Sequence, residues 1–537
     1  HEAVPPYALL GFSKQAAQAG NPLHLPVGTF SISRDVTNGI ASVSKDGFEL
    51  YSAQYDPAAR VTRVLSNYAG QDLELNMGFD GFGRKISQTS NTGLSGSWTW
   101  DALNRMTSAA WSGHDGSVAQ SITEALIYDA AGNITSATRE MGTFTFSYNA
   151  ANQLSSVDGP AALGSLVDNR TWSYDGAGNR IRDSVLGNGT FVNNVLVSQG
   201  ARNYESDANG TGYISRVYGQ QNSIGDSRFT VRGDAKLTAF TKSIGNGASR
   251  VDTSATYSFD ALGRRIAKSV TRNGVTTLQS YAFLGEEDKI LLGTKGDGTA
   301  QLFIDGAGID EHLAQVDATG VKVYITDHIG SVLNSPAGGN SKTYSPWGEI
   351  LGIVPTITAS SDAVVYGFAG RQWDTESETY YNRARTYDPT IGRFDQEDPI
   401  GYRVEELFDG ALSSQSQTVM IVASLYEYAK NAPVIFIDHD GMRPAEPDSS
   451  ENVCEAVRKQ VFSSCVSSLA QANAAAGVPA STCLAGCAGA GAISGPVGTA
   501  ACSVAVGAAF IGPTIAGYAA CRSNANQAYQ GCMSGKP

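Results

Sequence analysis

Short runs in which apolar and polar residues alternate recur along the chain up to residue 350, and turn residues break each run. A period of two puts successive side chains on opposite faces of a strand, so the pattern predicts many short strands, each with one buried face. The runs share a plan: compare NMGFDGFGRKISQT (Asn76–Thr89), SWTWDALNRMTSA (Ser97–Ala109), ALIYDAAGNITSAT (Ala125–Thr138), TFSYNAANQLSSV (Thr145–Val157), TWSYDGAGNRIRDSV (Thr171–Val185) and TYSFDALGRRIAKSV (Thr256–Val270). Each has an alternating stretch ending in an aromatic, then Asp or Asn, two small or apolar residues, usually Gly with a polar neighbour, and a second alternating stretch. That is a β-hairpin. The aromatic (Tyr128, Tyr174) packs on the sheet, Asp129 or Asp175 accepts bonds from turn amides, and Gly132 or Gly178 supplies a positive φ. One hairpin is unstable alone, so successive copies must stack into one continuous sheet. The recurring acids are therefore structural, because a catalytic residue would be singular. FTVRGDAKLTAF (Phe229–Phe240) is a worn copy, and residues 186–255 keep alternation in NNVLVSQ and GYISRVYG. Residues 1–50 form a lead-in whose alternation begins at NPLHLPVGTFSISRD.

Composition sharpens this picture. Sixty Gly, 18 Pro and 23 Tyr in 537 residues favour short strands with glycine turns over helices. A net charge of −13 argues against nucleic acid as a partner, since phosphate binding needs a cationic surface. The chain begins with His rather than Met and shows no export signal, which reads as a processed or trimmed chain.

The text changes character between Val364 and Met442. It runs VVYGFAGRQWDTESETYYNRARTYDPTIGRFDQEDPIGY, passes through an insertion (Arg403–Ser424), and closes on SLYEYAKNAPVIFIDHDGM. Asp398 and Asp438 each follow aromatic, strand-like text and open a Gly-containing turn. Brought together, two carboxylates cannot both ionise cheaply, so one acts as general acid and the other as general base on a peptide carbonyl and a water. A guanidinium such as Arg385 can hold one carboxylate charged or polarise the carbonyl. The bland reading is that both aspartates only cap turns, and Asp440 is an alternative to Asp438.

In motif order and spacing this stretch resembles the RHS-repeat-associated core of YD/RHS-repeat proteins. GFAGRQWD (Gly367–Asp374), YYNRARTYDPTIGRF (Tyr380–Phe394), DPIG (Asp398–Gly401) and DHDGM (Asp438–Met442) carry the likeness. YITDHIGSVLNSPAGGNSKTYSPWGE (Tyr324–Glu349) is similar to the family's lead into that core, and Asp327 and His328 within it read as a hydrogen-bonded turn. The resemblance implies a mainly β fold: YD-repeat hairpins over 51–350 wound into a spiralling shell, closed by a core over 351–442. It also implies an aspartyl self-cleaving protease, with Asp398 and Asp438 as catalytic pair, Arg385 as supporting cation, and Met442–Arg443 as scissile bond. His439 stands in place of the family's Pro and Met442 in place of its Leu. No cofactor or metal is called for. The cargo is the chain's own tail, and the further partners implied are secretion machinery or an immunity protein, with the protein secreted or at the cell surface.

That tail, 443–537, holds all seven cysteines, from Cys454 to Cys532, and no histidine to complete a zinc site. Disulfides in an oxidising compartment suit it better than zinc, with one cysteine left over. VCEAVRKQVFSSCVSSLAQANAAA follows helical spacing, and from Gln460 to Cys521 no residue is charged. A membrane-directed effector and a small disulfide-stapled helical domain both fit. The rival to the self-releasing toxin is a non-catalytic surface scaffold or adhesion protein that displays loops to glycans or neighbouring cells.

Overall fold

The computed structural model describes residues 28–36, 39–116, 119–207, 213–219, 225–245, 250–285, 287–334, 342–351, 362–399 and 424–442. The expected helical, cysteine-bearing tail, Arg443, and the insertion up to residue 423 lie outside them. Twenty-seven strands, from Phe30–Arg34 to Gly320–Val323, form one sheet in which each strand is antiparallel to the next. The alternation read from the sequence is visible in Ala119–Tyr128, where Gln120, Ile122, Glu124 and Leu126 are buried and the residues between them face water.

The repeat turn is built the same way in six of the copies, whereas in the worn copy Arg232 takes the acid's place and only the backbone bonds remain. Asp80 Oδ1 accepts the amides of Phe82 and Arg84, both at 2.9 Å, while Oδ2 accepts Arg84 Nε at 2.7 Å. Asp56, Asp101 and Asp260 repeat this with Arg60, Arg105 and Arg264, and Asp129 and Asp175 with Asn133 and Asn179. The positive φ falls on Gly83, Gly132, Gly178 and Gly263, but also on Ala59, Asn104, Asn152 and Ala235, so glycine is the commonest solution and not a requirement.

Two devices join neighbouring hairpins. Motif aromatics that carry a donor reach back: Tyr128, Tyr148 and Tyr174 hydroxyls donate to the carbonyls of Met106, Ile134 and Leu154, and Trp100 Nε1 donates to that of Lys85. Each acceptor is the first residue of the strand immediately before, so the aromatic latches as well as packs. The fourth residue after the turn acid reaches forward, as Arg84 Nη1 does to the Asp101 carbonyl (3.1 Å) and Asn104 Oδ1 (3.0 Å).

The last strands are buried on both faces, as in Ile290–Thr294 and His312–Asp317. Leu302 and Ile304 join a cluster with Val43, Leu75 and Trp111 of the early strands, whereas Phe303, pointing the other way, joins Val364 and Tyr366. The winding brings early and late strands together: Val323 donates to the Asp115 carbonyl at 2.8 Å, and Asn334 Nδ2 to Asp115 Oδ2 at 3.0 Å.

Against this sheet packs a four-stranded antiparallel sheet of Gln372–Asp374, Thr379–Asn382, Arg385–Asp388 and Arg393–Phe394. Its aromatic centre is Trp373, Tyr380, Tyr387 and Phe394 with Tyr428, the Tyr387 and Tyr428 rings lying 4.1 Å apart. Buried ion pairs tie the two sheets. Arg265 meets Asp374 at 2.6 Å and Lys268 meets Asp374 and Glu376 at 3.1 and 3.3 Å, while Arg170, paired with Asp183 of its own sheet (2.8 Å), also holds Glu349 (2.6 Å) in the segment before the smaller sheet. The smaller module is thus locked to the repeat sheet by charge as well as by apolar contact.

Candidate active site

Strands Thr379–Asn382 and Arg385–Asp388 are joined by a two-residue turn, Arg383–Ala384, in which Arg383 has φ +52°. This tight hairpin end grips the segment Asp438–Met442. Asn382 Nδ2 donates to the Asp438 carbonyl (2.9 Å), Arg371 Nη1 (2.8 Å) and Arg383 Nη1 to that of His439, the Ala384 amide to that of Asp440 (3.1 Å), and Arg385 Nε to that of Gly441. Four consecutive carbonyls are fixed by named donors. Gly441 sits at φ +72°, and a Cβ there would collide with the Asn382 carbonyl, so the close approach requires glycine.

Arg385 stands at the centre. Its Nη2 lies 3.2 Å from Asp398 Oδ2 and 3.1 Å from Asp438 Oδ2, so the two predicted aspartates, 40 positions apart, meet on one nitrogen. Nη1 donates to the Leu425 carbonyl at 3.0 Å, and the guanidinium lies 3.6 Å from the centroid of the Phe394 ring. Burial pulls the Arg385 pKa below its ordinary value, while the carboxylates of Asp438, Asp398 and Asp440 oppose that pull. Asp398 is placed by its own amide, which donates to Leu425 at 3.0 Å. Its side chain is 17% exposed against 1% for Asp438, so water reaches the first and not the second. Asp438 Oδ1 instead accepts the Met442 amide at 2.9 Å, one peptide before the predicted scissile bond. Asp440, the alternative acid, accepts the same amide at 2.9 Å. Of the sequence-predicted site residues, Asp398, Asp438, Arg385 and Met442 converge, and Arg443 lies outside the described residues.

Sequence reasoning did not single out Asn382, Arg371, Arg383 or Asp310. The two arginines lie inside quoted motifs; Asp310 lies far outside them, in a turn of the repeat sheet.

Asp327 forms the predicted turn, accepting the Ser331 and Ile329 amides at 2.7 and 3.2 Å. Around it sits a buried cluster the sequence did not announce. His328 Nδ1 is 3.1 Å from Glu124 Oε1 and Nε2 is 2.9 Å from the Val434 carbonyl, while Arg139 pairs with Glu124 at 2.7 Å. Glu124, Asp327 and His328 lie close enough together to suggest a metal centre. Both ring nitrogens of His328 face acceptors, however, so both donate and neither keeps a lone pair for an ion. Burial alone would lower the His328 pKa, but Glu124, and then Asp327, outweigh it and raise it above 6.5. The imidazolium's contribution to stability is therefore complete below that ordinary value and is lost as pH rises through the raised one. His328→Leu should lower the melting temperature more at pH 6 than at pH 9. An equal loss at both pH values would show that packing, not charge, is what the histidine supplies.

The teneurin YD-shell family model matches residues 117–434, more than half of the chain. The chain belongs to the teneurin YD-shell family. Its relatives include toxins. It is 30% identical over 293 residues to the tRNA nuclease WapA of Bacillus subtilis (strain 168), covering 50% of this chain and 11% of that protein. It is 26% identical over 415 residues to the double-stranded DNA deaminase toxin A of Burkholderia cenocepacia (strain H111), covering 71% of this chain and 25% of the relative. With the toxin protein Tse5 of Pseudomonas aeruginosa it shares 24% identity over 423 residues, 72% of this chain and 28% of that one. This YD-shell chain thus spans a minor part of each. The Photorhabdus luminescens Tc holotoxin pore superposes with a TM-score of 0.56 at 16% identity, over 78% of this chain and 21% of that one, which shows a shared fold.

Proposed function

We propose that this chain is the shell and core of a toxin-type YD-shell protein that cuts itself after Met442 and so frees its own C-terminal tail as an effector. The observation that carries the reading is the meeting of Asp398 and Asp438 on Arg385 Nη2, beside a rigidly held segment that ends at the bond to be cut. One guanidinium shared by Asp398 and Asp438 offsets a single negative charge, which favours a state in which one acid of the pair holds a proton and the other does not, the division of labour that acid–base hydrolysis needs. Asp398, the acid that water reaches, takes a proton from a water whose oxygen adds to the Met442 carbonyl carbon. Asp438 gives its proton to the Arg443 nitrogen as the carbon–nitrogen bond breaks. The products are a Met442 carboxyl end and an Arg443 amino end, with one water consumed.

The relatives' names attach a nuclease in one case and a deaminase in another to this kind of shell, which supports a variable effector as the cargo. For this tail the charge-free, Ala- and Gly-rich run from Gln460 favours a membrane target over nucleic acid. Delivery to the outside or the cell surface, by secretion machinery and with an immunity protein guarding the producer, completes the reading. Among the described residues no helix is long and apolar enough to cross a membrane.

The second reading is a scaffold without chemistry, displaying loops to glycans or cells. It is favoured by the four bonded carbonyls of Asp438–Gly441 and by the Met442 amide on Asp438, which suit an aspartate that only caps a turn. Intact mass of the purified protein separates the two. A break after Met442 is expected; one unbroken 537-residue chain would favour the scaffold.

A further inference from the structure

Asp310 lies 128 positions before Asp438, in the turn between strands Ala300–Asp305 and His312–Asp317 of the repeat sheet, at φ +57°. It is buried, and three side chains of the smaller module converge on it. Arg371 Nη2 and Arg383 Nη2 reach Oδ1, the latter at 2.7 Å, while Arg383 Nη1 (3.1 Å) and His439 Nδ1 (3.0 Å) reach Oδ2. The same two guanidiniums also hold the His439 carbonyl. One carboxylate of the repeat sheet therefore fixes, directly and through two forked cations, the residue next to Asp438. Burial would raise the Asp310 carboxyl, but Arg371, then Arg383, and His439 outweigh it and hold it well below the ordinary carboxylate range. Asp288 also faces Arg383, at 3.5 Å, and Gly370 packs against the Asp310 turn.

A buried Asp between arginines is often only a structural tie. Here the geometry adds something a tie does not need: both cations bond Asp310 and, at the same time, the backbone of the candidate catalytic turn, Arg371 with separate nitrogens and Arg383 through a shared Nη1. Planar forks of this kind transmit orientation as well as charge. We infer that Asp310 is the positioning residue of the self-cleavage site, so that the Asp438–Met442 turn is held in its reactive geometry only when the strand pair 300–317 of the repeat sheet is in place. This rests on the self-cleavage reading above. It makes completion of the sheet a condition for cutting.

The test is cell-free synthesis of the full 537-residue chain, following the fragment that ends at Met442 with time, per molecule of protease-resistant folded protein. Asp310→Asn, which keeps the shape but strips the charge from between two cations, is expected to slow cleavage about 100-fold. The residual cleavage should keep the same bond and the same pH profile, because Asp398 and Asp438 are untouched. Asp310→Glu should recover part of the rate. If Asp310→Asn does not fold, Arg383→Lys reads the same step, since it keeps a charge beside Asp310 but loses the fork to the His439 carbonyl. Slowing of about tenfold or more is expected there. An unchanged rate per folded molecule in whichever variant folds overturns the inference while leaving self-cleavage standing. A parent chain that never breaks overturns the reading beneath it instead.

Discussion

Asp398→Asn protein is expected to remain one chain under conditions in which the unchanged protein has parted after Met442. Asparagine keeps the volume and one acceptor for Arg385 Nη2, so the hairpin end and the Asp438–Met442 turn should stay as they are. What goes is the only acid of the pair that water reaches, and with it the base that accepts the water's proton. Loss of such a group costs roughly 100- to 10,000-fold, enough to turn a chain that breaks during preparation into one that survives it. Asp438→Asn should do the same, and the double variant should be no slower than either single one, because two groups acting as a unit fail together. Intact mass of freshly purified protein decides the matter. Breakage of Asp398→Asn at the parental rate would remove Asp398 from the chemistry.

The second large effect is expected at Arg170. It is wholly buried, gives Nε and Nη2 to Asp183 at 3.1 and 2.8 Å and Nη1 to Glu349 at 2.6 Å, and Trp172 Nε1 completes the shell around Asp183 at 3.0 Å. Glu349 belongs to the segment that leads into the core module, so this one guanidinium staples that segment to the repeat sheet. Arg170→Ala would leave two buried carboxylates without their main cation, at a cost of about 3–5 kcal/mol. For Asp183, burial raises the pKa, but Arg170, with Arg180, lowers it below the ordinary 3.8. Its share of the stability is therefore present above that value and is lost as pH falls through the depressed one. Glu349 is already pushed up by burial, in spite of Arg170. In the variant it should simply take up a proton, which softens the loss at mildly acid pH. The measurement is the melting temperature and the proteolytic resistance of residues 342–351 at pH 5 and pH 8. A variant that melts with the parent at both pH values would show that the staple is redundant.

The hairpins were legible because everything a turn needs lies within five residues. Asp80 to Arg84 contains the acceptor, the positive φ and the closing donor, and the same text recurs in each copy. What escaped was how one copy binds the next. The ring hydroxyl of Tyr148 and the fork of Arg84 find partners 14 and 17 residues away, and nothing in a single repeat tells a packing aromatic from a latching one. Asp398, Asp438 and Arg385 could be named since they sit in short, distinctive motifs. Asp310 could not be, because GAGIDEH reads like any polar turn, and its partners Arg371, Arg383 and His439 lie 61, 73 and 129 positions further on. His439, a departure from the family's wording, turns out to make a bond of its own to that carboxylate. Likewise Asp327 and His328 read correctly as a turn, while Glu124 and Arg139, which give that turn its charge balance, belong to strands some 200 positions earlier.

Because every strand of the large sheet pairs with the one made just before it, the protein can be wound up in the order in which it leaves the ribosome or a translocation channel. Each new hairpin needs only its predecessor as a template, and the loops to be closed stay short. The distant contacts, such as Arg170 with Glu349 and Gly178 with Asn431, wait for the end of the described chain to emerge. Growth of the wall is thus local and gradual, whereas the contacts that tie its far-apart strands to the smaller module come late.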